Sequence, residues 1–277
     1  MTHTAKHKPN SLFSRAIRWL KKPSSERNRL LLLKLKNISV IPFYFGKSTL
    51  LKIFIAYQPD SHVLFNAHPE FNILFNKFTK QNKLNNAGDV ARLWSFILNI
   101  KQIIAEKIEG DFAELGVWRG NTASILAHFA TSSNRKVLLF DTYEGFNKKD
   151  LDGIDADRVM AFDDTSIALV KNVIGEESKV CDFVKGYFPE TLTDIHTSKK
   201  YAVVSLDCDL YGPMKAGLNV FYPLMTQGGM FLLHDYSSFQ WAGAKKAIDE
   251  FCEQHNEYVI LMPDKSGSAF IRKSKRI

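Results

Sequence analysis

Cysteine is scarce. Cys181, Cys208 and Cys252 are odd in number and widely spaced, which excludes a disulfide framework or a zinc-ligand spacing and fits a reducing cytoplasm. Long apolar runs are also missing. No stretch reaches the roughly 18 apolar residues of a spanning helix. The run 30–33 is too short for a signal-peptide core, and Pro42, Lys47 and Lys52 interrupt the stretch after it. No G-x-G-x-x-G occurs, so a dinucleotide cradle is not indicated. Acids are nearly absent at the start. Residues 1–52 hold twelve Lys and Arg against Glu26 alone, +11, so a total of +8 leaves the other 225 residues at −3. The basicity belongs to an arm, which argues against a nucleic-acid partner for the whole protein.

What is present divides into a basic, partly disordered and helical arm (1–57), a helical cap (58–109) and a main domain (110–277). Residues 11–20 place Leu12, Phe13, Ala16, Ile17 and Leu20 at helical spacing. Basic side chains alternate with Leu, Ile and Phe over 11–57. Two readings stay open: a peripheral membrane contact, or a helical cap on the domain or on a second subunit of a homo-oligomer. Phe65, Phe71, Leu74, Phe75 and Phe78 predict a helix within 61–85. The stripe Val90, Leu93, Trp94, Ile97, Ile100, Ile104 and Ile108 predicts one over 89–108, with Asp89 as N-cap.

From 110 onward strands alternate with helices. Predicted strands are 112–117, 137–140, 180–185, 202–206 and 230–233. Helices are expected over 122–130, 166–174, 189–196, 213–224 and 242–255, with a turn at Gly228-Gly229 and an acidic loop over 147–165 that is a lid or a solvated insertion. Two last strands, 258–262 and 268–272, lie too close for a crossover and predict an antiparallel hairpin. The fold class is therefore α/β: a Rossmann-like, seven-stranded, mostly parallel sheet with helices on both faces.

The chain is organised around Gly110–Gly120, G-D-F-A-E-L-G-V-W-R-G: a strand, a tight glycine turn and a helix start. Asp141 ends the next strand about twenty residues on. Such a turn lets the backbone approach a nucleotide-type ligand, the helix N-terminus faces it, and the acid takes ribose hydroxyls. The spacing E-x-G-x-x-x-G favours S-adenosylmethionine (SAM), which has no phosphate to cradle. Four strand ends carry acids: Glu114, Asp141, Asp207 with Asp209, and Asp235 after His234. Ligands of open α/β sheets sit at these carboxyl ends. Converging carboxylates with no Lys or Arg in the motif call for a hard divalent ion, Mg²⁺ or Mn²⁺, which would also lower the pKa of an alcohol. Asp207 and Asp235 are assigned as ligands and Asp209 as base, with a helix N-cap before Pro213 as the alternative for Asp209. His234 is a third ligand, a partner behind the ligands, or a base. His128 and His196 fall within or near helices and read as surface or packing residues.

In these motifs, GDFAELGVWRGNTA, FDTYEGF, GYFPETL, SLDCDLYGP, HDY and PDKSGSA, the chain resembles the macrocin O-methyltransferase family over roughly residues 85–273. The resemblance implies a SAM-dependent, divalent-metal-dependent O-methylation, usually of a sugar hydroxyl, with a glycan or small-molecule acceptor. It implies that Asp207 supplies a ligand and Asp209 the base. It places SAM on Glu114, Gly116, Val117, Trp118, Gly120, Asp141, Thr142 and Asp207, with Glu144, Gly145, Lys185 and Gly186 nearby. The family has paired acids after the fifth strand where this chain has His234-Asp235, so only Asp235 carries over. Two other readings compete: a scaffold on a methyltransferase fold that binds anionic lipid through the arm, and a nicotinamide-dependent oxidoreductase.

Overall fold

The structure, a computed structural model, describes residues 69–238 and 240–274. The arm 1–57, its 11–20 helix and the first part of the 58–109 cap lie outside the described residues. Helices α1 (Pro69–Thr79), α2 (Lys83–Asn86) and α3 (Val90–Ala105) precede the sheet. Then come β1 (Asp111–Leu115), α4 (Asn121–Ser132), β2 (Val137–Asp141), α5 (Ile167–Ile174), β3 (Cys181–Lys185), α6 (Asp194–Thr197), β4 (Tyr201–Leu206), α7 (Tyr211–Leu224), β5 (Met225–Leu233), α8 (Ala242–His255), β6 (Ile260–Leu261) and β7 (Ala269–Arg272).

The seven strands form one sheet in the order β3-β2-β1-β4-β5-β7-β6. The first five run parallel, and β7 and β6 close the edge antiparallel. Central β4 is buried at every position, as the near-continuous apolar run Y-A-V-V-S-L requires of a strand covered on both faces. Alternate side chains divide the core. Leu115, Phe140, Val204, Leu206, Phe231 and Leu233 join α7 and α8. Phe112, Leu139, Val203 and Leu232, also buried, point to the other face, where α3 and α4 pack.

Differences from the expected elements have local causes. The 61–85 helix is interrupted between Thr79 and Lys83. Over 189–196 only Asp194–Thr197 is helical; the stretch before it turns instead, with the Leu192 amide on the Pro189 carbonyl. Gly228-Gly229 does not end a loop but bulges within β5. The β4–β5 register shifts there, and the Gly228 amide and Gly229 carbonyl both pair with Lys273.

Candidate active site

The two glycines of the organising stretch answer to protein neighbours. Gly116 has φ +86°, and a Cβ there would overlap the Asp207 carbonyl. Its bareness lets the ends of β1 and β4 close on each other. At Gly120, φ +80°, a Cβ would lie 2.7 Å from Val170 on α5, so this glycine seats α4 against α5. Each glycine therefore has a packing role, and Gly116 in addition lines the cavity.

Asp141 folds the loop between them. One oxygen accepts from the Val117 and Trp118 amides at 2.6 and 2.9 Å, and the other from the Tyr143 amide at 2.6 Å. Three of a carboxylate's roughly four acceptor positions are thereby filled. The loop opens onto a cavity of about 390 Å³, of the size that small-molecule sites have. Of the residues expected to hold SAM, Glu114, Gly116, Val117, Trp118, Asp141, Thr142, Gly145, Gly186 and Asp207 line it. Gly120, Glu144 and Lys185 stand off it, and the last two ion-pair with each other at 2.6 Å on the surface.

At the neighbouring ends of β4 and β5 the cavity meets Asp207, Asp209, His234 and Asp235, whose ligand atoms lie within 4.8 Å of one another. Asp209 and Asp235 have φ +60° and +59°, a conformation that costs an L residue energy and collects at functional sites. Asp209 is not a helix cap. The residue before α7, Leu210, makes no capping bond, and the Tyr211 amide is taken at 2.7 Å by Asp155 of the acidic loop.

Arg92 also reaches this cluster, and its sequence position gave no sign of it. An Arg in the first turn of a helix ordinarily reads as solvated. Here it is 5% exposed, held at 3.3 Å by Asp89 and at 2.6 Å by Asn86, with its guanidinium against His234 Nε2. His234 Nδ1 lies 2.7 Å from Asp207 and also contacts Asp235. Burial disfavours the charged imidazole, but the two carboxylates outweigh it and raise its pKa to about 10. Burial likewise opposes charge on Asp207, and His234 overcomes it and holds that carboxyl below its usual range. Asp209 goes the other way: burial, then Asp235 and Asp207, push it well up. Glu114 is pushed up by burial, then by Asp207 and Asp141.

The acidic loop proves to be an anchored strap along the cavity. Asp150 accepts from the Tyr187 hydroxyl at 2.7 Å, Asp155 caps α7, and Asp164 takes the Trp118 indole N–H at 2.7 Å and pairs with Arg119. Phe162 packs edge-on against Trp118 and Phe146. The two histidines expected to be structural are so: His128 bridges Glu70 and Glu177, and His196 completes the capping box of α6.

The residues fit both groups that the resemblance implies. Among the described residues, Glu114 Oε2 and Asn121 Oδ1 are buried without a partner on the cavity wall. They call for a ligand that brings donors, which the ammonium of SAM does. Three carboxylates and an imidazole within one ion's reach suit a divalent cation, although Nδ1 of His234 must first release its proton before it ligates.

The 8-demethyl-8-(2,3-dimethoxy-alpha-L-rhamnosyl)-tetracenomycin-C 4'-O-methyltransferase of Streptomyces olivaceus is 28% identical over 152 residues, 50% of this chain and 57% of its own length. The demethyldecarbamoylnovobiocin O-methyltransferase of Streptomyces niveus is 26% identical over 174 residues, 58% of this chain and 65% of its own length. This chain thus spans less than two thirds of the length of these relatives. The structure of the O-methyltransferase NovP has the same fold, with a TM-score of 0.57 at 22% identity over 67% of this chain and 81% of that one. Residues 87–270, from just before α3 into β7, match the description macrocin-O-methyltransferase (TylF), and the chain belongs to that family.

Proposed function

We propose that the protein transfers the methyl group of SAM to a sugar hydroxyl. The observation that carries this is the position of the Asp207–Asp209–His234–Asp235 cluster. It stands at the end of a cavity whose opposite part is the Gly116–Trp118 loop. SAM held on that loop would supply the methyl group at the acidic end of the cavity: an oxygen–carbon bond would form as the carbon–sulfur bond breaks, and Asp209 would take the hydroxyl proton.

Asp207 and Asp235, with His234 as a third ligand once its Nδ1 is deprotonated, would hold a divalent ion. Bound there, Mg²⁺ or Mn²⁺ would lower the pKa of the hydroxyl and neutralise charge developing on its oxygen. Asp209 has the high proton affinity of a base, and it accepts a proton only from its ionised form. A bound divalent ion and the sulfonium would favour that ionised form beside two other acids. Arg92 keeps His234 placed against Asp207 and Asp235. Positioning and electrostatic complementarity carry the acceleration. The sugar acceptor follows the Streptomyces olivaceus relative, whose name specifies a rhamnosyl group.

Calorimetric titration of SAM, with and without Mn²⁺, into wild-type protein and an Asp207→Ala/Asp235→Ala variant tests the site. The expected result is SAM binding by both and a metal heat in the wild type alone. Absence of SAM binding by the wild type would sink the methyltransferase reading.

A further inference from the structure

The sheet order decides from which side an acceptor approaches. Along the carboxyl ends, the loop after β1 and Asp141 after β2 lie on one side of the acids that follow β4 and β5. On the other side lies the β6–β7 turn, because β7 runs antiparallel beside β5. A ligand that reaches from the loop to the acids fills the first side. A second ligand offering a hydroxyl to the same acids must enter along the turn.

That side has a built wall. Lys265 and Ser266 of the turn and Asn82 and Asn85 around α2 all line the cavity. Buried Asp89 ties the two parts together, accepting the Lys265 amide at 3.1 Å and the Ser266 hydroxyl at 3.2 Å. Asn82 occupies the N-cap of α2 but makes no capping bond, although Asn is a preferred cap. Its amide leans on Asn86 at 3.3 Å, and its carbonyl oxygen has no partner among the described residues. The side-chain amide of Asn85 likewise has none. The Lys265 ammonium touches, among the described residues, only backbone carbonyls, at 3.4 and 3.5 Å. Asn82 and Asn85 also precede the family match, which begins at residue 87.

We propose that Asn82, Asn85, Lys265 and Ser266 determine acceptor specificity by reading the hydroxyl pattern of a sugar ring. Carboxamides both donate and accept, as vicinal hydroxyls require. Lys265 adds a long, mobile donor to this wall. This rests on the sugar-methylating reading.

The test uses the full chain with S-adenosylhomocysteine and the methyl glycosides of rhamnose, glucose, mannose and galactose, followed by saturation-transfer NMR. At least one glycoside should bind the wild type. Its affinity should fall about tenfold in Asn82→Ala/Asn85→Ala and several-fold in Lys265→Ala, from the hydrogen bonds lost. SAM affinity should stay within about twofold in both variants, since only contacts on the acceptor side are removed. Unchanged glycoside binding in the two variants overturns the wall while leaving the sugar reading standing. Parallel loss of SAM and glycoside overturns it too, by showing a role in folding. If no glycoside binds wild-type protein that binds SAM, the sugar reading fails and takes the wall with it.

Discussion

Three carboxylates within reach of one ion repel one another, and Arg92 is the permanent cation set against them. Removing one partner of a buried charge cluster leaves the others uncompensated, at a cost of about 3–5 kcal/mol. Arg92→Met should therefore lower the unfolding free energy by roughly that amount. A divalent ion, which replaces the lost charge, should restore more stability to the variant than to the wild type. Denaturant titrations with and without Mn²⁺ decide it, and equal gains would deny that Arg92 and the ion share a role. Gly116→Ala tests a different residue-scale point. Its left-handed φ costs an L residue roughly 1–2 kcal/mol, and the overlap with the Asp207 carbonyl adds to that. Stability should drop by at least about 2 kcal/mol and SAM binding should weaken with it. A fully stable Gly116→Ala that binds SAM would refute the close approach of β1 and β4.

At the scale of elements, the strap over 147–165 is held by acids that elsewhere would be solvated. Asp164 is held below its ordinary range first by the Trp118 indole and, against some burial, by Arg119. An acid with a lowered folded pKa stabilises above its unfolded value, near 3.9, and loses that contribution as pH falls through the folded one. At neutral pH, Asp164→Ala should expose the strap to limited proteolysis and weaken SAM several-fold, with little change in global midpoint because the pair is half exposed. Wild-type protein should show the same loosening, by Trp118 fluorescence, only as pH falls below about 4. A neutral-pH strap as protected in Asp164→Ala as in the wild type would count against the latch. The acid content of this loop was plain in the sequence. Its function was not, because Asp150, Asp155 and Asp164 find Tyr187, the Tyr211 amide and Trp118 only after β3, α7 and the glycine loop come together.

For the whole molecule, charge is the unevenly distributed quantity: +11 in residues 1–52 against −3 in the rest. No helix of the described residues is long and apolar enough to cross a membrane. Contact of the arm with a lipid surface would be electrostatic, worth about 1 kcal/mol per basic residue near an anionic leaflet. Full-length protein should co-sediment with phosphatidylserine vesicles at low salt and release at high salt. Replacing Lys21, Lys22, Lys34 and Lys36 by Gln should abolish the effect and spare SAM binding. No sedimentation would favour the arm as a cap, and salt-independent sedimentation would show an apolar rather than an electrostatic contact.

The sequence alone determined the α/β alternation, the seven strands, the antiparallel edge and the strand-end acids. These depend on periodicity and chain order, which are local properties. It also determined that Asp207, Asp209 and Asp235 belong together, since adjacent parallel strands must bring their carboxyl ends side by side. Only the tertiary structure decided which groups surround them. Arg92 lies 142 positions from His234, and Asp155, not Asp209, caps α7. The bareness of Gly116 and Gly120 serves strand and helix neighbours. Each of these depends on side chains that meet across the sheet, and no spacing along the chain encodes such a meeting.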